Sequence, residues 1–215
     1  SDIYSTSAVS ASVTLTAPAA PTVTGNFANE NYVITWTPTN GSLNTDYYEL
    51  RFGDAGGSWT TAQPLSTVKG TSFSVNANWL GARRFYVAAV DLIGTVGANA
   101  YVETTVIAVP APTVATTVSG KVAILNWSAV AGNLPTIGYE IRRGTTYATA
   151  TNLGTIQATT YKTEINWAGS QTFWVAGISS NNALGVPGSA VVVVNAPPAP
   201  TISSTFLGDQ YRLSW

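Results

Sequence analysis

The sequence predicts an all-β chain built of tandem seven-stranded β-sandwiches, and two observations predict it. Short runs of alternating apolar and polar residues recur between turn signals, and no segment holds an amphipathic 3.6-residue period for three turns. One pattern also occurs three times: a proline-marked start at Pro21, Pro112 and Pro200, then a short strand that ends at Trp36, Trp127 or Trp215. The prolines are 91 and 88 residues apart (112 − 21 and 200 − 112), and so are the tryptophans (127 − 36 and 215 − 127). A repeat of this length is a whole domain in tandem, since a solenoid unit is only roughly 20–50 residues.

The markers divide the 215 residues into an end piece, two full copies and a beginning. Residues 1–16 read as the C-terminal strand region of a preceding domain, with Ala11–Thr16 as its strand. Residues 17–108 are the first full domain, with strands near Thr22–Gly25, Asn31–Thr37, Tyr47–Phe52, Thr71–Asn76, Arg84–Asp91 and Ala100–Ile107. A short extra strand is expected near Ser58–Ala62. Residues 109–195 are the second, with strands near Thr113–Thr117, Val122–Ser128, Gly138–Arg143, Thr160–Glu164, Thr172–Ser179 and Ser189–Val194. Residues 196–215 read as the first strands of a further, truncated domain. The absence of an initiating Met and an end inside a strand suggest a segment of a longer polypeptide.

Alternation assigns the faces. Tyr32, Ile34 and Trp36 share one face, and Leu125 and Trp127, then Leu213 and Trp215, repeat the pattern. Tyr48, Leu50 and Phe52 alternate with Glu49 and Arg51, as Tyr139 and Ile141 do with Glu140 and Arg142. Phe85, Val87 and Ala89 point inward, leaving Tyr86 and Ala88 on the opposite face. The proline-rich junctions at 107–112 and 194–200 favour stiff, extended connections.

This arrangement resembles the fibronectin type III domain. The residues that carry the likeness are Pro21, Trp36, Tyr48-Glu49-Leu50-Arg51 and the Val87-Ala88-Ala89-Val90-Asp91 run leading to Gly94. The second copy supplies Pro112, Trp127, Tyr139-Glu140-Ile141-Arg142 and Val175-Ala176-Gly177-Ile178. One departure is plain. The family's corner tyrosine, four residues before the Val of that last motif, is replaced by Arg83 and by Gln171. Trp79 and Trp167 lie just upstream and are expected to be mostly buried, plugging the corner instead.

Composition narrows the chemistry. Charged residues make up 9% of the chain and net charge is −1, so the field that gathers nucleic acid or anionic lipid is missing. No run of 18 apolar residues suggests membrane insertion. Cysteine and histidine are both absent, which removes disulfides, thiolate chemistry, Cys-ligated zinc and any His-based triad.

No residue is assigned as catalytic, cofactor-binding or metal-binding, and the binding residues are left unknown. Glu49 and Glu140 are read as exposed, with cross-strand pairing to Arg51 and Arg142 as the explanation. Asp54-Ala55-Gly56-Gly57-Ser58 is glycine-rich but lacks the Lys-Ser/Thr end of a phosphate cradle, so it reads as a turn. Asn40-Gly41-Ser42 and Asn126-Trp127-Ser128 match the glycosylation sequon, the second inside a core strand. Asp91 alone does not supply a calcium site. Trp59, Tyr101 and Tyr147 lie in or near loops, where an exposed ring can stack on a sugar; packing against the neighbouring strand or domain is the favoured role.

Tandem domains of this low-charge, cysteine-free style look like those of bacteriophage central tail-tip attachment proteins and tail fibres. That resemblance implies a non-enzymatic spacer and adhesive segment located in the virion, in a homotrimer. Its partners would be other tail proteins, copies of itself and a host cell-surface receptor. Two alternatives stay open: the linker array of a secreted bacterial polysaccharide hydrolase, and the stalk of a bacterial surface adhesin.

Overall fold

The computed structural model describes residues 11–215, so residues 1–10 of the expected leading strand region lie outside the described part. The chain divides into two compact units. The first runs to Val109 and takes in Ala131–Thr136 and Ser179–Ala183; the second holds Pro110–Val130, Ile137–Ile178 and Leu184–Trp215.

The first unit contains β1 (Val23–Ala28), β2 (Asn31–Trp36), β3 (Thr45–Asp54), β4 (Gln63–Val68), β5 (Ser72–Asn76), β6 (Gly81–Asp91) and β7 (Ala100–Val106). They form a three-stranded sheet in the order β1-β2-β5 and a four-stranded sheet in the order β4-β3-β6-β7. Every pairing is antiparallel. β4 decides the type of sandwich. It hydrogen-bonds to β3 and not to β5, which gives the three-plus-four fibronectin type III order rather than the four-plus-three order of an immunoglobulin constant domain.

Alternation places the core between the sheets. In β2, Tyr32, Ile34 and Trp36 are buried while their neighbours are half-buried. They meet Tyr48 and Leu50 of β3 and Phe85, Val87 and Ala89 of β6. Trp36 lies edge-on to Tyr48, with ring centroids 5.4 Å apart. Gly25 makes room for Tyr32: a Cβ there would lie 2.8 Å from Tyr32 Cε1 and closer still to the end of the phenol. Leu134, on the 131–136 segment that belongs to this unit, joins the same core.

The second unit is built on β8 (Val114–Ser119), β9 (Val122–Trp127), β10 (Thr136–Arg143), β11 (Thr151–Ile156), β12 (Thr160–Glu164), β13 (Gly169–Ser179) and β14 (Gly188–Val194). Its sheets run β12-β9-β8 and β11-β10-β13-β14, the order of the first unit again. Leu125, Trp127, Tyr139, Ile141, Phe173 and Val175 fill its core. A separate hairpin follows, β15 (Ser203–Leu207) paired with β16 (Gln210–Ser214).

Several expectations need correction. Ala11–Thr16 is not a strand. Thr16 instead bonds a loop, its N–H donating to Ser42 Oγ (2.8 Å) and its carbonyl accepting from Ser42 N (3.0 Å). Ser58–Ala62 is a turn, and the extra strand begins at Gln63. The second copy has the equivalent strand β11, which the sequence hides because Asn152 and Gly154 interrupt the alternation and the pairing carries a bulge at Ile141/Arg142. Leu213 and Trp215, which follow Leu125 and Trp127 by 88 residues (213 − 125 and 215 − 127), are 53% and 85% exposed. Both strands of their hairpin are exposed throughout, because two strands alone offer no facing sheet.

The corner tryptophans behave as expected. Trp79 is 9% exposed and packs on Phe85 at 5.5 Å. Trp167 is half-buried against Phe173 at 5.9 Å, with Arg143 stacked over its ring at 5.3 Å. Both corners are closed by apolar area and stacking rather than by a hydrogen bond, since neither indole N–H has a partner.

Candidate functional site

The residues able to contact a ligand gather on the outer face of the four-stranded sheet in the first unit. β3, β6 and β7 lie side by side there. Residues two apart on one strand share a face, so Glu49 and Arg51 project together, as do Arg84 and Tyr86, and Tyr101 and Glu103. The register sets Tyr86 opposite both Arg51 and Tyr101, and Arg84 opposite Glu103.

The turn after β3 folds back over this face. Gly56 takes a left-handed φ of +80°, and Gly57 N donates to Asp54 O at 3.1 Å. The turn is then pinned by side chains. Tyr86 Oη and Arg84 Nη1 both donate to Gly57 O, the latter at 2.8 Å, and Arg51 Nη1 donates to Trp59 O at 3.3 Å. This explains a difference from simple alternation. Tyr86, on the outer face, is 2% exposed.

Aromatic rings and guanidinium groups form a ladder. Arg51 lies 4.4 Å over the Trp59 ring, Trp59 meets Tyr86 edge-on at 6.2 Å, Tyr86 meets Tyr101 at 5.7 Å, and Arg84 covers Tyr101 at 4.0 Å. Charge is cancelled within it. Arg51 Nε donates to Glu49 at 2.6 Å, and Arg84 donates to Glu103 at 3.0 and 2.8 Å. Trp59 and Tyr101 flank Tyr86 at a cleft of ≈ 380 Å³ whose rim carries Ser58, Thr60 and Asn99.

The second unit holds a reduced version. Arg142 pairs with Glu140 at 2.6 Å and stacks on Tyr147 at 4.6 Å, and Tyr147 meets Trp174 edge-on at 6.3 Å. Trp174 Nε1 donates to Gly144 O at 2.9 Å, anchoring the turn as Tyr86 does in the first unit. Glu140 is only 8% exposed, which corrects the expectation of an exposed carboxylate. It accepts from Arg142, from Tyr147 Oη (2.7 Å) and from Asn152 Nδ2 (3.0 Å). Burial acts to raise the Glu140 carboxyl, but the bonds from Arg142, Tyr147 and Asn152 and the Arg142 charge outweigh it and hold the group below the usual carboxylate range. Burial, and then the bond to Glu140 and its charge, push the Tyr147 phenol up to about 12.

The other sequence candidates are accounted for locally. Both Glu–Arg pairs run along one strand (Glu49–Arg51 and Glu140–Arg142) and not across strands. Asp91 is 4% exposed and caps the turn after β6 by accepting from Ile93 N (3.0 Å) and Thr95 N (2.8 Å). Asn40 Oδ1 accepts from Thr45 N at 3.0 Å, while Asn126 is an exposed position of β9. Trp59 and Tyr147 are half-buried by their arginine and aromatic neighbours, and Tyr101 is 51% exposed. Among the described residues no three His, Cys, Asp or Glu side chains cluster as metal ligands, and no helix is long and apolar enough to cross a membrane. Sequence reading missed Arg84, Tyr86 and Asn99. Their signal was the cross-strand register, which requires the pairing of β6 with β7 to be known.

No family model matches the chain, and neither does any curated protein. Solved structures do match it. One is the crystal structure of the chicken CNTN1 FN1-FN3 domains, 18% identical, which covers 84% of this chain and 69% of that chain with a TM-score of 0.36. At that similarity the comparison adds no argument of its own. The strand order shared by the two units is what establishes their fibronectin type III fold.

Proposed function

We propose that this chain is a non-enzymatic spacer and adhesive segment of a bacteriophage tail tip or tail fibre, working in a homotrimer with other tail proteins during host attachment. The observation that supports this reading is repetition of one plan. Both sandwiches share strand order and core positions, and in both the Glu–Arg pairs are engaged in holding a turn over the sheet. These four acidic and basic side chains are thus spent on the fold, and the low-charge, hydroxyl-rich composition suits a protein that works outside the cell.

The test is location. Particles purified on a density gradient from the source culture should carry peptides of residues 17–195 by mass spectrometry, and antibodies to the segment should label tails and block adsorption. Recovery only from particle-free medium, in one polypeptide with a hydrolase module, would move the assignment to the linker of a secreted polysaccharide hydrolase. The aromatic cleft beside Tyr101 is the one feature that favours this second reading.

A further inference from the structure

We infer that the cleft between Trp59 and Tyr101 is a binding site for a neutral saccharide, with Tyr86 as its floor. The inference concerns the first unit itself and holds whether the chain sits in a virion or in a secreted enzyme.

Three observations carry it. First, the cleft has the right walls. Two aromatic side chains flank a shallow, open depression of ≈ 380 Å³, a shape that suits a sugar ring laid against an aromatic face. Arg51 and Arg84, the latter also lining the cleft, each cover one face of these rings, which leaves the other, electron-rich face to attract the weakly positive C–H groups of a pyranose. Ser58, Thr60 and Asn99 on the rim offer hydroxyl and amide groups for sugar hydroxyls. The local charges are already paired, Arg51 with Glu49 and Arg84 with Glu103, so the site favours an uncharged ligand.

Second, the walls are held in place before a ligand arrives. Arg51 lies over Trp59 at 4.4 Å and Arg84 over Tyr101 at 4.0 Å, and the turn bearing Trp59 is bonded to Arg51, Arg84 and Tyr86. Rings already fixed lose little freedom on binding.

Third, the fold does not need the outer wall. The cross-strand pair Tyr86–Tyr101 of the first unit corresponds to Trp174–Ser189 in the second, each 88 residues on (174 − 86 and 189 − 101). Arg84 opposite Glu103 likewise corresponds to Thr172 opposite Val191. The second unit keeps the floor and the turn anchor but has a serine where the wall stands. Its Tyr147 hydroxyl is also tied to Glu140. Tyr101, 51% exposed, therefore exceeds what the sandwich requires.

The experiment titrates the 215-residue chain, isotope-labelled, with neutral hexasaccharides of glucose, galactose, mannose and N-acetylglucosamine, and separately with a decaproline peptide. At least one saccharide should shift the Trp59 indole and the Ser58, Thr60 and Asn99 signals, leaving the Trp174 indole unmoved. Tyr101→Ser, which installs the second unit's own residue, should weaken that binding at least tenfold while the first unit stays folded and its melting temperature falls by no more than about 8 °C. Tyr101→Phe should retain it. The inference is overturned if no saccharide in the panel moves these signals, if Tyr101→Ser binds as well as the parent, or if decaproline alone occupies the cleft. None of these outcomes bears on where the protein is found, which the particle fractions decide separately.

Discussion

Gly25 and Tyr32 should be energetically coupled, and the second unit shows the alternative solution to the same packing problem. Positions 91 residues on carry Thr116 and Ala123 (116 − 25 and 123 − 32), so a large ring beside a missing side chain is replaced by a small one beside threonine. The registers agree: Gly25 lies opposite Ile34, and Thr116 opposite Leu125. Gly25→Thr alone drives a side chain into the Tyr32 ring, and overpacking costs about 1–3 kcal/mol. Removing a strand glycine returns about 0.5–1 kcal/mol of that. Tyr32→Ala alone empties a site that is 2% exposed, at a cost of about 3–5 kcal/mol by analogy with other large aromatics. Made together, the two changes should be less damaging than their sum by about 0.5–3 kcal/mol, the range found for contacting residues. Urea titration followed at the Trp36 and Trp79 indoles reads the first unit, with Trp127 and Trp167 as controls, because a chain of two units need not unfold in one step. Additivity within about 0.5 kcal/mol would refute the steric trade.

The second unit should be pH-sensitive in two windows. The Glu140 carboxyl is lowered by folding, so its contribution is present above the unfolded carboxylate pKa and is lost as pH falls through the folded value; the Tyr147 phenol is raised, so its contribution is present below the unfolded value of 10.0 and is lost as pH rises through about 12. Phenolate absorbance should therefore show Tyr147 titrating late, alongside Tyr32 of the first unit, which burial also raises, and Glu140→Gln should bring the Tyr147 step alone earlier and flatten the acid limb of stability. Asp91→Ala leaves two backbone N–H groups without their acceptor, and denaturant titration should show a loss of about 1–3 kcal/mol in the first unit. Lys69→Ala breaks an ion pair whose side chains are 80% and 41% exposed, and the same titration should move by less than about 0.5 kcal/mol.

Much of the fold was legible because its signals are local. Alternation in Asn31–Trp36 and Val122–Trp127 names the inward residues without any knowledge of their partners, and Trp36 and Trp127 are buried as that alternation requires. The strands that reading lost or displaced are edge strands. β4 and β11 pair with one neighbour only, have no fully buried residue and carry Pro64 or Gly154, so selection for a hydrophobic face is weak. The candidate cleft was half legible. Trp59 and Tyr101 could be picked out as aromatics near loops. That they face each other across Tyr86, with Arg84 beside them, depends on the β6–β7 register and on a turn folding back over the sheet.

By itself the sequence determined the class, the tandem repeat of about 90 residues, the core-facing residues and the composition that lacks cysteine and histidine. These follow from periodicity and from residue chemistry, which need only neighbours along the chain. Tertiary structure decided which sheet the extra strand joins, the burial of Glu140 and the pairing of every arginine on the sheet face. It also decided how Trp36 and Trp127 are enclosed, each edge-on to a tyrosine of the opposite sheet. An indole is buried only when a second sheet faces it, and a facing sheet is a property of the assembled sandwich rather than of the strand that carries the tryptophan.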